Sequence, residues 1–378
     1  MSKRDEKRET RTADAVSAGS GERKPSAIHR IFTGLFRLVL VLLETVLLVA
    51  MLLYGVMYVV AKGPSPTARD LFVMSVRETS AIGFLANLYF TDEEIAQIEA
   101  GKNSYEFVET DTSLISINTE GSEPDGDSSQ GSKADAWGLV DEDGDGIIID
   151  PVKGEGFSGY MMIVLDPSRV IMGSIPESYG IRGYTVEEMV QEFDAAAGIN
   201  AGGFYDPNGQ GNGSIPDSLV VVDGEIYYAG NGERNGFVGF DSNYIMHVGM
   251  PTLEEIKEKN IVTGACFGPV LISNGVPADE SGLASGVNPR TAIGQRSDGA
   301  VLMLVIDGRQ VISMGATYMD LVDIMMEYGA VNACNLDGGS SSLMWYDGGY
   351  VNNCASVIGI RPVPTTFLVL KEGANANG

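Results

Sequence analysis

Histidine and cysteine are nearly missing from this chain of 378 residues, and each scarcity removes a class of chemistry. Two histidines, His29 and His247, are too few for a histidine-rich zinc centre. A serine hydrolase would want His247 as its base, yet no Gly-x-Ser-x-Gly elbow occurs. Cys266, Cys334 and Cys354 cannot make a disulfide framework and contain no Cys-x-x-Cys pair. They read either as ordinary thiols at apolar sites or as one disulfide with a spare. The Walker glycine-lysine pattern is absent as well. Basic residues are also short, with 25 Lys and Arg against 51 Asp and Glu. From Lys62 onward the net charge is near −29, which argues against nucleic acid as a partner, because a phosphate backbone needs a cationic face.

Apolar residues are plentiful, at 44%, enough for one large or two ordinary domains with a real core. Leu38 to Val60 is apolar apart from Glu44, which matches one transmembrane helix and exceeds the apolar core of a signal peptide. Glu44 at mid-bilayer costs about 2–3 kcal/mol, which so apolar a helix tolerates. Nine Lys and Arg precede the run and few follow it closely. The positive-inside rule then puts the N-terminus in the cytoplasm. A single-pass protein of the cell membrane follows, with everything from about Lys62 outside the cytoplasm.

Residues 1–30 read as a disordered cytoplasmic tail, 31–61 as the transmembrane helix and 62–100 as a helical stalk holding the main domain off the membrane. Within the stalk Thr67 to Phe90 looks helical, and so does Thr91 to Glu99, which opens with a Thr91/Glu94 capping box. Residues 101–154 read as an acidic flexible linker with leading strands, because Gly121 to Ala136 has no apolar face. "DEDGDGIIID" fits the first half of a calcium loop through Asp141, Asp143, Asp145 and Gly146, but the closing acid is replaced by Val152. A turn between two strands is the simpler reading. No cofactor is demanded by any motif; a divalent cation suits the acidity, but no ligand set is complete.

Further on, "YMMIVLD" reads as a buried strand, and Val186, Met189, Val190 and Phe193 form a helix face after a Thr185/Glu188 capping box, with Gly198 able to stop it. "VLMLVID" is a second buried strand, followed by a helix from Thr317 to a Gly329 C-cap, and "VNACNLDGG" closes the unit. The two stretches look like copies of one strand–helix–strand unit, an internal βαβ pseudo-repeat. Asp223-Gly224, Asn274-Gly275 and Asp347-Gly348 mark hairpin turns. The fold class is α/β or α+β: a mixed, strand-rich domain with packed helices, preceded by one transmembrane helix.

If the second unit is an ordinary crossover, Asp307 and Asp337 end parallel strands at one sheet edge, where ligands bind in open α/β sheets. Gly338 and Gly339 let a ligand approach the backbone, and Ser340 and Ser341 supply hydroxyls. The pseudo-repeat brings Asn200, Gly202 and Gly203 to an equivalent place. Arg290 offers a planar donor fork for a phosphate beside the Thr291 hydroxyl. "GGFYDPNGQGNG", Gly202 to Gly213, reads as a lid or a long turn.

"GINAGGF", "FGPVLISNG", "NPRTAIG", "VIDGR" and "NLDGGSSS", in this order, resemble the phosphodiester glycosidase family over about residues 155–370, leaving 371–378 as a tail. The first serine of "DGGSSS" departs from the glycine expected there. The resemblance implies hydrolysis of a sugar-1-phosphodiester at the anomeric carbon, in a cell-envelope or extracellular polysaccharide. It adds Asp307, Arg309 and Asn335 to the site residues. On this reading Asp337 is base or nucleophile and Arg290 grips the phosphate. Asn200, Asn335 and the Gly-Gly-Ser backbone position the sugar, and Asp307 and Arg309 are second candidates. Two other readings compete: a glycan-binding scaffold of the envelope, and a glycosyl or sugar-phosphate transferase in exopolysaccharide assembly. Nothing in the sequence fixes an oligomeric state.

Overall fold

The apolar run folds as the expected helix, α1, Ala27–Lys62. Within it Ile31–Lys62 is long and apolar enough to cross a membrane. This is a computed structural model, which describes residues 27–79, 82–100, 108–117, 135–229, 236–279, 283–354, 356 and 359–373. Most of the expected N-terminal tail, most of Gly121–Ala136 and most of the C-terminal tail lie outside the described residues. Met1–Val59 and Val60–Gly378 are two separate units.

The segment read as a stalk belongs to the second unit and packs into it. Ser65 caps helix α2, Pro66–Arg77, by accepting from the Ala68 N–H. The helix stops at Glu78 rather than running to Phe90, and a 3-10 turn, Gly83–Leu88, follows. Helix α3, Asp92–Glu99, carries the predicted capping box on Thr91 and Glu94. The backbone of Ser75 presses on Gly286, where an added Cβ would lie 2.2 Å from the Ser75 nitrogen. Its hydroxyl accepts from the Val287 N–H at 2.9 Å.

Strands, numbered along the chain, build three sheets. The first runs β1 (Ile147–Gly154), β2 (Phe157–Val164), β13 (Val301–Ile306), β12 (Arg290–Arg296), β14 (Ala330–Leu336), β10 (Val270–Ser273), β11 (Val276–Pro277). The second runs β16 (Gly349–Tyr350), β15 (Met344–Tyr346), β4 (Ala195–Asn200), β17 (Thr365–Leu370), β3 (Val170–Ser174). The third runs β6 (Glu225–Ala229), β5 (Leu219–Val222), β9 (Ile261–Cys266), β7 (Phe237–Asp241), β8 (Met246–Gly249).

One core lies between the sheets, with Met303 and Ile293 from the first, Ile199 and Phe367 from the second, and Val220 and Phe240 from the third. The outer face of the first sheet buries Leu302, Leu304 and Ile306 beneath helix α6, Tyr318–Glu327. Successive strand side chains point to opposite faces, and both faces of β13 are covered, which is why its sequence is apolar without alternation. Helix α4, Val186–Glu192, covers the second sheet in the same way, and helix α5, Leu253–Glu258, the third. The three expected hairpins are present, each with an Asp or Asn at positive φ before a glycine.

Three expectations change in detail. Helix α4 ends at Glu192, because Asp194 turns to positive φ and Gly198 already sits inside β4. The pseudo-repeat holds as two strand–helix–strand units, β3–α4–β4 and β13–α6–β14, each with one antiparallel strand between its parallel pair. Its first copy starts from β3, however, because β2 lies in the other sheet. Asp141 to Gly146 forms bends that lead into β1, with no described strand before them.

Because Arg290 stands opposite Ile306 and Thr291 opposite Leu336, the start of β12 and the ends of β13 and β14 share one sheet edge. Arg290, Asp307 and Asp337 therefore meet at that edge. The fit of Ser75 to Gly286 is directly testable. Gly286→Ala is expected to push the α2 end away, lower stability by about 1–3 kcal/mol and open residues 78–91 to proteolysis. Unchanged protection of that segment would show that α2 is not held there.

Candidate active site

At this sheet edge lies a cavity of about 580 Å³ lined by Arg290 and Asn335 of the first sheet, by loops that flank strands of all three sheets, by Tyr318 of α6 and by the α2 end. Asp337 enters it directly from the end of β14. The Asp337 N–H donates to the Ala201 carbonyl at 2.9 Å. Its own carbonyl accepts from Asn200 Nδ2 at 2.6 Å. Its Oδ2 is out of contact with solvent and has no hydrogen-bond partner. Burial pushes the carboxyl up to about 7, against the opposing pull of a Ser341 hydroxyl bond and the charge of Arg361. Such a group exists in both protonation states near neutrality, which suits an acid or base.

Asn335 Oδ1 is likewise buried and without a partner, while its Nδ2 donates to the Gly268 carbonyl at 2.7 Å. Gly338 comes within 2.9 Å of the Pro289 carbonyl when a Cβ is added, and Gly339 holds φ +64 beneath the Arg309 guanidinium. These two glycines are required by space and by backbone conformation respectively. Ser340 and Ser341 line the wall in a 3-10 turn, Gly339–Ser341.

Three arginines face the cavity with different partners. Arg290 donates from Nη2 to Glu78 Oε2 at 2.7 Å and to the Gly286 carbonyl at 2.6 Å, and from Nε to the Ala316 carbonyl at 3.0 Å. Its guanidinium lies 4.2 Å from the Tyr318 ring centroid. Burial is the largest single effect and works to lower its pKa, but Glu78 and Tyr318, through charge and hydrogen bonds together, hold it above the ordinary arginine value. Arg361 pairs with Asp206 at 2.8 Å and donates to Ser340 Oγ at 3.3 Å. Arg309 instead donates to the neutral Thr79 Oγ1 at 2.8 Å and Asn288 Oδ1 at 3.1 Å. Burial and the nearby charge of Arg290 hold it below the ordinary arginine value. A second carboxyl, Asp217, is pushed up by burial and then by the charge of Asp206.

The structure brings Asp337, Arg290, Gly203, Arg309, Asn335, Gly338, Gly339, Ser340 and Ser341 to the cavity. Asn200, Gly202, Thr291 and Asp307 are not among its lining residues. Asn200 and Thr291 are fully buried and bonded to each other at 2.9 Å. Gly202 donates to Thr365. The Asp307 carboxylate accepts from Asn352 Nδ2 and the Asn353 N–H, each at 3.0 Å, and holds the loop after β16. His247 sits in the third sheet with Nε2 3.1 Å from Asp241 Oδ2, outside the cavity lining. All three cysteines are free thiols. Sequence reasoning missed Glu78, Thr79, Asp206, Asp217 and Arg361. Only the lid reading of Gly202 to Gly213 pointed near one of them, Asp206.

Residues 193–370 match the sequence model of the phosphodiester glycosidase family. The SPbeta prophage-derived uncharacterized protein YomE of Bacillus subtilis (strain 168) is 30% identical over 184 residues, 46% of this chain and 28% of that protein. The N-acetylglucosamine-1-phosphodiester alpha-N-acetylglucosaminidase of Mus musculus is 24% identical over 221 residues, 52% of this chain and 41% of the mouse protein. The chain thus spans less than half the length of either curated relative. Among solved structures, the catalytic domain of the zebrafish enzyme of that name, auto-inhibited by its pro-peptide, superposes with a TM-score of 0.51. That match is 18% identical and covers 64% of this chain and 87% of the zebrafish chain, a likeness of fold.

The raised carboxyl of Asp337 has a stability consequence. Its folded pKa lies above the ordinary carboxyl value, so its favourable contribution is complete below about pH 4 and is lost as pH rises through about 7. Asp337→Asn should therefore gain stability over the native chain between those pH values, by up to about 4 kcal/mol at pH 8. Thermal unfolding at pH 4, 6 and 8 measures this, and a gap independent of pH would mean that the carboxyl is not desolvated.

Proposed function

We propose, from the premise that residues 193–370 form a phosphodiester glycosidase domain, that this protein is a membrane-anchored hydrolase of sugar-1-phosphodiesters working outside the cytoplasm. The observation that carries the reading is the unpartnered, desolvated Asp337 oxygen in a cavity that also offers arginine and serine donors. The apolar Ile31–Lys62 helix supports the anchor, and the basic residues before it support the orientation.

Cleavage at the anomeric carbon releases a phosphate monoester, which is a good leaving group without strong protonation. Arg309 is the cation best suited to the phosphate, because its hydrogen bonds go to neutral oxygens that a phosphate oxygen can replace. Ionised Asp337 takes a proton from the attacking water, and Asn335 Oδ1 is placed to accept a sugar hydroxyl. Asn200 and Thr291 act behind the wall by fixing the Asp337 backbone. Ser340, bonded to Arg361, and Ser341, bonded to the Asp337 carboxyl, add hydroxyls to the wall.

The mouse and zebrafish relatives are named for an N-acetylglucosamine-1-phosphodiester, so GlcNAc-α-1-phosphate methyl ester is the first substrate to try with the full chain in detergent. Released GlcNAc should fall by about 10²–10⁴ in Asp337→Asn and by about 10²–10³ in Arg309→Ala. Because Asp337 works ionised, kcat/KM should rise with pH through about 7 and level above it. Saturable binding with no release would instead favour the glycan-binding reading, and product that needs an acceptor would favour the transferase.

A second reading has one observation behind it. Glu78 and Thr79 already take donors of Arg290 and Arg309, so the α2 end restrains the site until it shifts. Thr79→Ala, which removes one acceptor without unpairing a buried charge, is expected to lower KM about two- to fivefold with kcat retained. An unchanged KM would leave Thr79 as part of the wall.

A further inference from the structure

Charged and polar side chains line the cavity beside Phe204, Phe267 and Tyr318, and exposed apolar side chains stand close in the chain to several of its lining residues. Arg309, at positive φ, leads into a tight turn in which the Gln310 and Ser313 N–H groups each donate to the other's carbonyl. Val311 at the tip of this turn is fully exposed, Ile312 is 77% exposed and Met314 is 66% exposed. Two further hydrogen bonds hold the turn, from Met314 N–H to the Gly156 carbonyl and from Ser313 Oγ to the Asp307 carbonyl. Three more residues stand within three positions of the cavity lining: Ile82 beyond Thr79, Tyr205 between Phe204 and Asp206, and Ile360 before Arg361. Ile82 is tied back by its N–H to the Thr79 carbonyl. A firmly bonded turn that presents its apolar residues to water has no packing reason within the domain.

We propose that this apolar collar contacts a lipid bilayer, and that the substrate is a sugar-1-phosphate esterified to a membrane-embedded long-chain alcohol. Three observations select lipid as the occupant. The chain itself carries a helix apolar and long enough to span a membrane, which ends at Lys62. Glu78, on the cavity wall, follows sixteen residues later, and twelve of the residues between them are helical. Helical rise and extended reach keep that link to about 32 Å, so a membrane lies within reach of the cavity. The collar is apolar on a domain of strongly negative charge, which suits neutral lipid rather than an acidic partner. Finally, the cavity volume suits a sugar phosphate, so a long chain on the second ester would leave through the apolar mouth.

The inference rests on the hydrolase reading and completes its chemistry. Water forms the new bond to the anomeric carbon and gives a proton to Asp337. The anomeric C–O bond breaks with its electron pair passing to the phosphate oxygen. Free sugar leaves to the aqueous side, and the long-chain phosphate monoester stays in the bilayer.

The full chain in phosphatidylcholine vesicles is given two probes, the methyl and the phytanyl diesters of GlcNAc-α-1-phosphate. The native protein should turn over the phytanyl diester at least tenfold faster. Val311→Ser with Ile312→Ser should remove that advantage while leaving the methyl diester within about twofold. Equal use of both probes, or equal loss on both, overturns the lipid inference and leaves the hydrolase reading standing. A readout that needs no turnover comes from Ile312→Trp. The native tryptophans, Trp137 and Trp345, lie outside the apolar helix, so quenching by brominated acyl chains beyond the native level reports insertion of the turn. If neither diester is cleaved the hydrolase reading fails. The quenching then decides the contact by itself, with extra quenching supporting it and none overturning it.

Discussion

The side-chain amide of Asn200 joins two sheets at the point where the cavity begins. Its Nδ2 donates to the Asp337 carbonyl, and its Oδ1 accepts from the Thr291 hydroxyl and from the Leu343 N–H at 3.1 Å. One residue at the end of β4 thereby holds the start of β12, the end of β14 and the chain entering β15. Each of these groups would cost about 1–3 kcal/mol if buried without its partner, so the seam has one low-energy arrangement. The desolvated oxygen of Asp337 depends on that rigidity, because a looser frame would let the carboxylate turn to water or to a neighbouring donor.

The arginines extend the same logic to charge. A buried guanidinium is tolerable only when paired, and Arg290 and Arg361 have Glu78 and Asp206. Away from the cavity, Arg296 is paired with Asp135 and Asp298 beside the Trp137 ring and does structural work alone. Arg309 differs in kind: it is exposed at the cavity edge, and its hydrogen bonds go to neutral oxygens and to no carboxylate. A cation without a carboxylate partner favours an incoming anion.

Local grammar was legible in the sequence. Asp-Gly and Asn-Gly pairs gave the hairpins, Thr-x-x-Glu gave two caps, and the unbroken apolar run of β13 signalled a strand covered on both faces. The motif "NLDGGSSS" likewise led to the cavity wall. Long-range partnership was not legible. Glu78 and Arg290 are 212 positions apart, and in the sequence Glu78 reads only as an acid inside the expected Thr67–Phe90 helix. Asp206 looked like a turn residue in a glycine-rich loop. Asp307 shows the converse difficulty: it stands at the expected strand end, but Asn352 and Asn353 take up its carboxylate. A motif marks residues that matter to a site without separating those that face it from those that hold its frame.

The cavity is also wider in the chain than the family match. Glu78 and Thr79 lie more than a hundred positions before residue 193, yet they meet both Arg290 and Arg309. A fragment cut at the family boundary would leave Arg290 buried without its carboxylate, a loss of about 3–5 kcal/mol for a broken buried pair. It would also lose β1 to β3 and the α4 segment before Phe193, on which the first two sheets depend. The unit able to hold the site begins where the chain leaves its apolar helix. The segment that follows the apolar helix is therefore also part of the cavity's wall.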